Sequence, residues 1–100
     1  MLYAVKIALL SDKVPAEKAD EYFAQHRAWF AKHSEAGNFL MLGPLPELDH
    51  TGLIIAQAQN YDALDAILKE DVYYPIGGAS YETTEFKAVM IADNIKQYQA

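Results

Sequence analysis

The sequence predicts an α+β domain in which a four-stranded antiparallel sheet carries two helices on one face. Three observations predict it. Short apolar runs and two amphipathic helical stretches alternate in the order β-α-β-β-α-β. The two central strands are joined by too short a connection for a crossover, which makes them an antiparallel hairpin. The chain has 100 residues, 52% of them hydrophobic and 12% aromatic, which suits one folded core and not a disordered segment.

Leu2–Leu9 sets Tyr3, Val5 and Ile7 against Leu2, Ala4 and Lys6, the alternation of a strand that is mostly buried. Ser11-Asp12-Lys13 is a turn. Pro15 is expected in the first turn of a helix running to Glu35, with Glu17 near its positive end and Gly37 stopping it. Asn38–Leu42 is a second strand, expected to break at Gly43-Pro44 because proline cannot donate to a ladder. After the polar loop Glu47–His50, Thr51–Ala58 is the third strand. Asn60 caps a helix over Tyr61–Glu70 that turns Leu64, Ile67 and Leu68 inward. An aromatic turn segment, Val72–Gly78, leads to a fourth strand within Ser80–Ala92. A polar tail, residues 93–100, completes a single expected domain. This order is the split βαβ arrangement of ferredoxin-like folds. It leaves one sheet face open, and the apolar residues there predict a two-fold dimer packed sheet to sheet.

Composition excludes several classes of function. The net charge of −6 lacks the clustered Lys and Arg that nucleic acid demands. No apolar run approaches the roughly 18–20 residues of a membrane span, and the apolar start has neither a basic flank nor a small-residue cleavage site. There is no cysteine, hence no disulfide, thiolate ligand or thiol nucleophile, as suits a cytoplasmic protein. Three scattered histidines make no metal site: His26 and His33 share a face but stand roughly 10 Å apart along the helix, and His50 is in a loop. No Gly-rich phosphate loop follows a strand.

What remains is His26. Wound at 100° per residue, Ala19, Tyr22, Phe23, Trp29 and Phe30 form one face of the first helix, and His26 lies within that stripe. Burial there disfavours a charged ring, so the imidazole is either a core-edge residue bonded to a carbonyl or a functional group. Asp71 is the second oddity, an acid at a helix C-terminus, where the dipole disfavours it unless a donor stands opposite. An Asp that accepts from one imidazole nitrogen leaves the other as a base; the alternative is a solvated turn residue. Tyr73 or Tyr74 is placed to donate to an oxyanion or to pack an interface. Arg27 flanks the stripe, either meeting an anionic group or pairing with a surface acid.

Read together, these residues resemble the YciI-like family. His26 in the first helix, Ala36-Gly37 with the glycine eleven residues on, Gly43-Pro44, Asp71-Val72-Tyr73, Gly77 and Phe86 fall in the family's order and spacing between Leu2 and Met90. Val72 replaces the proline of an Asp-Pro-Tyr element, which loosens that turn. The resemblance implies a dimeric α+β barrel of ferredoxin-like subunits with an active-site His-Asp pair, here His26 and Asp71. A characterised relative eliminates chloride from a chlorinated hydroquinone by histidine acid–base chemistry. The expected function is thus a small enzyme of lyase or isomerase type, needing no cofactor or metal, acting on a cyclic or aromatic compound. Arg27, Trp29, Tyr73 and Gly77 are the expected substrate-binding residues. The alternative is a non-catalytic dimeric module that binds a small ligand; a haem- or oxygen-dependent oxygenase has no supporting motif.

Overall fold

The computed structural model describes residues 1–100. Strands β1 (Leu2–Leu9), β2 (Phe39–Pro44), β3 (Thr51–Gln57) and β4 (Ala79–Phe86) form one sheet in the order β2-β3-β1-β4, with every neighbouring pair antiparallel. Helices α1 (Ala19–Glu35) and α2 (Tyr61–Leu68) share one face of that sheet. This is the expected ferredoxin-like α+β arrangement.

The period of two decides what is buried. Tyr3, Val5 and Ile7 of β1, with Ile54 and Ala56 of β3, pack under Trp29 of α1 and Leu64 and Leu68 of α2. Val5, Ile54, Leu64 and Ala56 are at most 1% exposed, so this cluster supplies most of the apolar burial that stabilises the chain. Two helix ends are also closed locally. The Asn60 side chain accepts from the Ala63 N–H at 2.8 Å, capping α2. Gly37, at φ +80, ends α1 in a Schellman turn, in which Asn38 N–H reaches the His33 carbonyl at 2.8 Å and Gly37 N–H that of Ser34 at 3.1 Å. That turn needs a left-handed residue, and glycine adopts it without strain.

Four boundaries differ from expectation. The α-helix begins at Ala19, because Pro15 keeps an extended ψ of 128° and Ala16–Lys18 forms a separate 3-10 turn. The second helix ends at Leu68, with Lys69 as its cap. β2 continues through Gly43-Pro44, where Pro44 faces Gly52. It is an edge strand, so a missing N–H costs it no ladder bond on the open side. β4 stops at Phe86 and not at Ala92: its last pair is Phe86 with Leu2, and the Met1 backbone beyond bonds to Ala58 instead. Val89, Met90 and Ile91, expected in that strand, are 85%, 90% and 65% exposed.

Candidate active site

The imidazole of His26 is 4% exposed and the carboxyl of Asp71 1%, and they meet at 2.7 Å between Nδ1 and Oδ1. Helical spacing explains the first position. His26 lies one turn before Trp29, whose indole Nε1 donates to the Ile67 carbonyl at 3.0 Å and ties α1 to the last turn of α2. Asp71 arrives from the other side. Its own N–H donates to the Leu68 carbonyl at 3.1 Å, and the segment behind it is a series of tight turns. Tyr74 N–H donates to the Asp71 carbonyl, Gly77 N–H to that of Tyr74 and Gly78 N–H to that of Tyr73, before Leu10 N–H at the end of β1 closes on the Gly78 carbonyl at 2.8 Å. Gly77 takes φ +67 in this run. Val72 thus stands in a turn held by backbone bonds.

Asp71 accepts a second hydrogen bond, from the Tyr81 hydroxyl to Oδ2 at 2.7 Å. An ionised carboxylate can only accept, so the pair of donors puts the imidazole proton on Nδ1. Burial, then the bond to Asp71, pushes the Tyr81 phenol far above its ordinary range. Burial raises Tyr73 as well, with the Asp71 charge adding to it. Both phenols therefore remain neutral wherever the site would operate.

The other imidazole nitrogen is free. Nε2 of His26 has no hydrogen-bond partner, yet the protein leaves no fully buried side-chain nitrogen or oxygen unpaired. The small exposed part of His26 therefore includes this atom. His33, two turns on and equally buried at 4%, is the contrast. Its Nδ1 meets the Asn38 amide at 3.0 Å and its Nε2 meets Glu70 Oε1 at 3.1 Å, while Lys32 reaches the same oxygen at 2.7 Å. Those two bonds hold the Glu70 carboxyl below its usual range, Lys32 contributing most. His33 spends both nitrogens on structure, whereas His26 spends one.

His26 lines a cavity of about 440 Å³ between α1, the ends of β1 and β3, and the β2–β3 connection. Its wall is largely apolar, including Phe23, Phe30, Leu42, Leu48 and Ile54, and it also holds Arg27 and His50. Of the expected binding residues, Arg27 lies on this wall; Trp29, Tyr73 and Gly77 do not. Trp29 is in the core at 5% exposure. Tyr73, 3% exposed, packs its ring edge-on behind the imidazole with centroids 5.0 Å apart. Gly77 belongs to the turn run. The cavity wall thus comes from the Gly43–Gly52 region and not from Val72–Gly78, because the latter is folded down against Asp71. The sequence reading passed over Tyr81 and the placement of His50. Tyr81 had no local signal, because its place opposite Ile7 comes from the pairing of β4 with β1; His50 had none beyond its side-chain type. No group of three or more His, Asp or Glu side chains is arranged to hold a metal ion, and no helix is long and apolar enough to cross a membrane.

A four-stranded antiparallel sheet with two helices on one face places the chain among the small ferredoxin-like α+β domains. The chain belongs to the YCII-related domain family, whose sequence model matches residues 1–87. Among solved structures it is similar to 5-chloro-2-hydroxyhydroquinone dehydrochlorinase from Burkholderia phenoliruptrix, determined in complex with 2,5-dihydroxybenzoquinone. That likeness has a TM-score of 0.65 at 14% identity, covering 87% of this chain and 94% of the other, and it is a likeness of fold. No curated protein matches the chain in sequence.

Proposed function

We propose that this protein is a small acid–base enzyme of lyase or isomerase type, acting on a cyclic or aromatic compound without a cofactor. One observation carries the reading: a buried imidazole whose Nδ1 is held by Asp71 at 2.7 Å while Nε2 stays unengaged beside an apolar cavity. Nε2 takes a proton from a substrate O–H or acidified C–H, and the electron pair left behind shifts into the ring or expels a leaving group such as halide. The imidazolium so formed lies against the Asp71 carboxylate, which offsets the cost of charging a buried ring. The proton returns to another substrate atom in an isomerisation, or leaves to solvent with the departing anion in an elimination. The fold neighbour is a dehydrochlorinase of a chlorinated trihydroxybenzene, which fits this chemistry. The open sheet face, with Leu2, Ala4, Met41, Leu53 and Ile55 in register, supports a homodimer packed sheet to sheet.

The test is turnover of a panel of phenolic and lactone compounds by wild type, His26→Gln and Asp71→Asn. Loss of a positioned acid–base group lowers kcat by about 100-fold or more. Compounds that bind beside His26 without any turnover sensitive to His26→Gln would make the protein a ligand-binding module instead.

A further inference from the structure

The one permanently charged side chain on the wall of the cavity beside His26 is a cation, Arg27. Arg27, His50 and His26 line the cavity, and no Asp, Glu or Lys does. The chain as a whole has 14 acidic residues against 8 Lys and Arg, so a wall with a cation and no acid runs against its composition. Arg27 is also unspent. Its guanidinium makes no ion pair with any acid, and its carbon lies 6.0 Å from the centre of the Phe23 ring, which lines the same cavity. A guanidinium has five fixed donors suited to a planar carboxylate, and an acidic surface offers many partners. This one has none, and the wall it stands on is kept clear of acids.

His50 joins the wall from the β2–β3 connection, and neither nitrogen of its ring has a hydrogen-bond partner. It is the one non-glycine residue at positive φ, +50°, and its carbonyl accepts from Leu9 N–H at 2.9 Å, fixing the turn to the end of β1. A left-handed side-chain-bearing residue costs about 1 kcal/mol and persists where its surroundings impose it. The strained residue is one that lines the cavity.

We propose that the cavity takes a small cyclic or aromatic carboxylate: the anionic group on Arg27 and His50, the ring against Phe23, Phe30 and Leu42. That this anion is the substrate of His26 rests on the acid–base reading above; its charge class rests on the lining alone.

The experiment is a ¹H–¹⁵N NMR titration of the full chain with benzoate, salicylate and cyclohexanecarboxylate, each against its neutral amide. The carboxylates shift the amide signals of Phe23, Leu42 and Gly52 and bind at least about tenfold tighter than the amides, the scale of one charge-assisted contact. Arg27→Gln abolishes that preference and Arg27→Lys restores part of it. His50→Asn, which tolerates positive φ, lowers carboxylate affinity severalfold and leaves amide affinity unchanged. Amides binding as tightly as carboxylates, shifts confined to other surfaces, no carboxylate binding at all, or a preference untouched by Arg27→Gln would each overturn the inference. His26→Gln retains the preference in full. If the preference holds while turnover is indifferent to His26, the anion class stands and the acid–base reading falls.

Discussion

Replacing Tyr81 by Phe removes one oxygen and nothing else, which makes it a sharp probe of how Asp71 is held. The Asp71 side chain has no solvent exposure, and its two oxygens have one donor each, His26 Nδ1 and Tyr81 Oη, both at 2.7 Å. Without the hydroxyl, Oδ2 is an ionised oxygen with no partner in a site that solvent barely enters. Hydrogen bonds to charged groups contribute about 1.5–3 kcal/mol, and Tyr81 is only half-buried, so water replaces part of the loss. The expected cost is about 2 kcal/mol, or a fall in Tm on the order of 10 °C for a domain of this size. Urea unfolding followed by the fluorescence of the single tryptophan, Trp29, reads it directly, because that ring is 5% exposed in the folded core. Tyr74→Phe is the control. Its ring lies 5.5 Å from that of Tyr81 but its hydroxyl bonds nothing, so stability should change by less than about 0.5 kcal/mol. A Tyr81→Phe variant as stable as that control would refute the claim that Asp71 is a buried carboxylate held by two donors.

Raised phenol pKa values make alkaline stability a second readout. Tyr81 and Tyr73 keep their protons in the folded state above the ordinary value of 10.0, mainly through burial, so the stability they contribute is present below pH 10 and lost as pH rises beyond it. Urea midpoints measured between about pH 9 and 11 should fall, and more gently in Tyr81→Phe; a flat profile would contradict the burial of these phenols. Gly77→Ala meets no atom within 4 Å but must hold φ +67, so it should cost about 1 kcal/mol by strain alone and leave ligand affinity at His26 unchanged. Ile55→Lys places a charge in the middle of the open sheet face and should convert a dimer to monomer in analytical ultracentrifugation without unfolding the chain; an unaltered mass would place any dimer contact elsewhere.

Local periodicity made the elements legible, and non-local pairing made their ends illegible. Nothing in Lys87–Ile91 distinguishes it from a strand, and it falls outside β4 because the pairing with β1 ends at Leu2. Pro44 reads as a breaker until its strand is known to lie at the sheet edge. The same limit holds at the site. Helical winding puts His26 and His33 on one buried face, and both are 4% exposed. What separates them is the partner on each second nitrogen, supplied by Asn38 and Glu70 for His33 and by nothing for His26. The apposition of His26 with Asp71 spans 45 residues; the acid at a helix end offered it as an alternative to a solvated turn, and the family resemblance implied it. The cavity wall was misplaced for a related reason. Trp29 and Tyr73 look like wall residues because they are large and aromatic, but their size is spent filling the core behind the imidazole.

Glu70 and Asp71, adjacent acids just past α2, each hold a histidine of α1, so the His26–Asp71 contact on which the proposed chemistry rests also docks the helices. Activity lost on mutating Asp71 is therefore ambiguous by itself, and the geometry supplies the way out. In Asp71→Asn the amide can turn its oxygen to Nδ1–H and its NH₂ to Tyr81, or the reverse with the imidazole proton moved to Nε2. The hydroxyl both donates and accepts, so two hydrogen bonds survive in either orientation. The fold keeps its contacts and loses only the charge that favours an imidazolium. Tyr81→Phe does the opposite, keeping the charge and the Nδ1–H tautomer while giving up a bond. Electrostatic stabilisation by Asp71 thus requires a dissociation between the two variants. Asp71→Asn should lose at least about 100-fold in kcat with stability changed by less than about 1 kcal/mol, and Tyr81→Phe should lose stability while kcat stays within about tenfold of wild type. If activity tracks stability across both, the carboxylate only holds the two helices together.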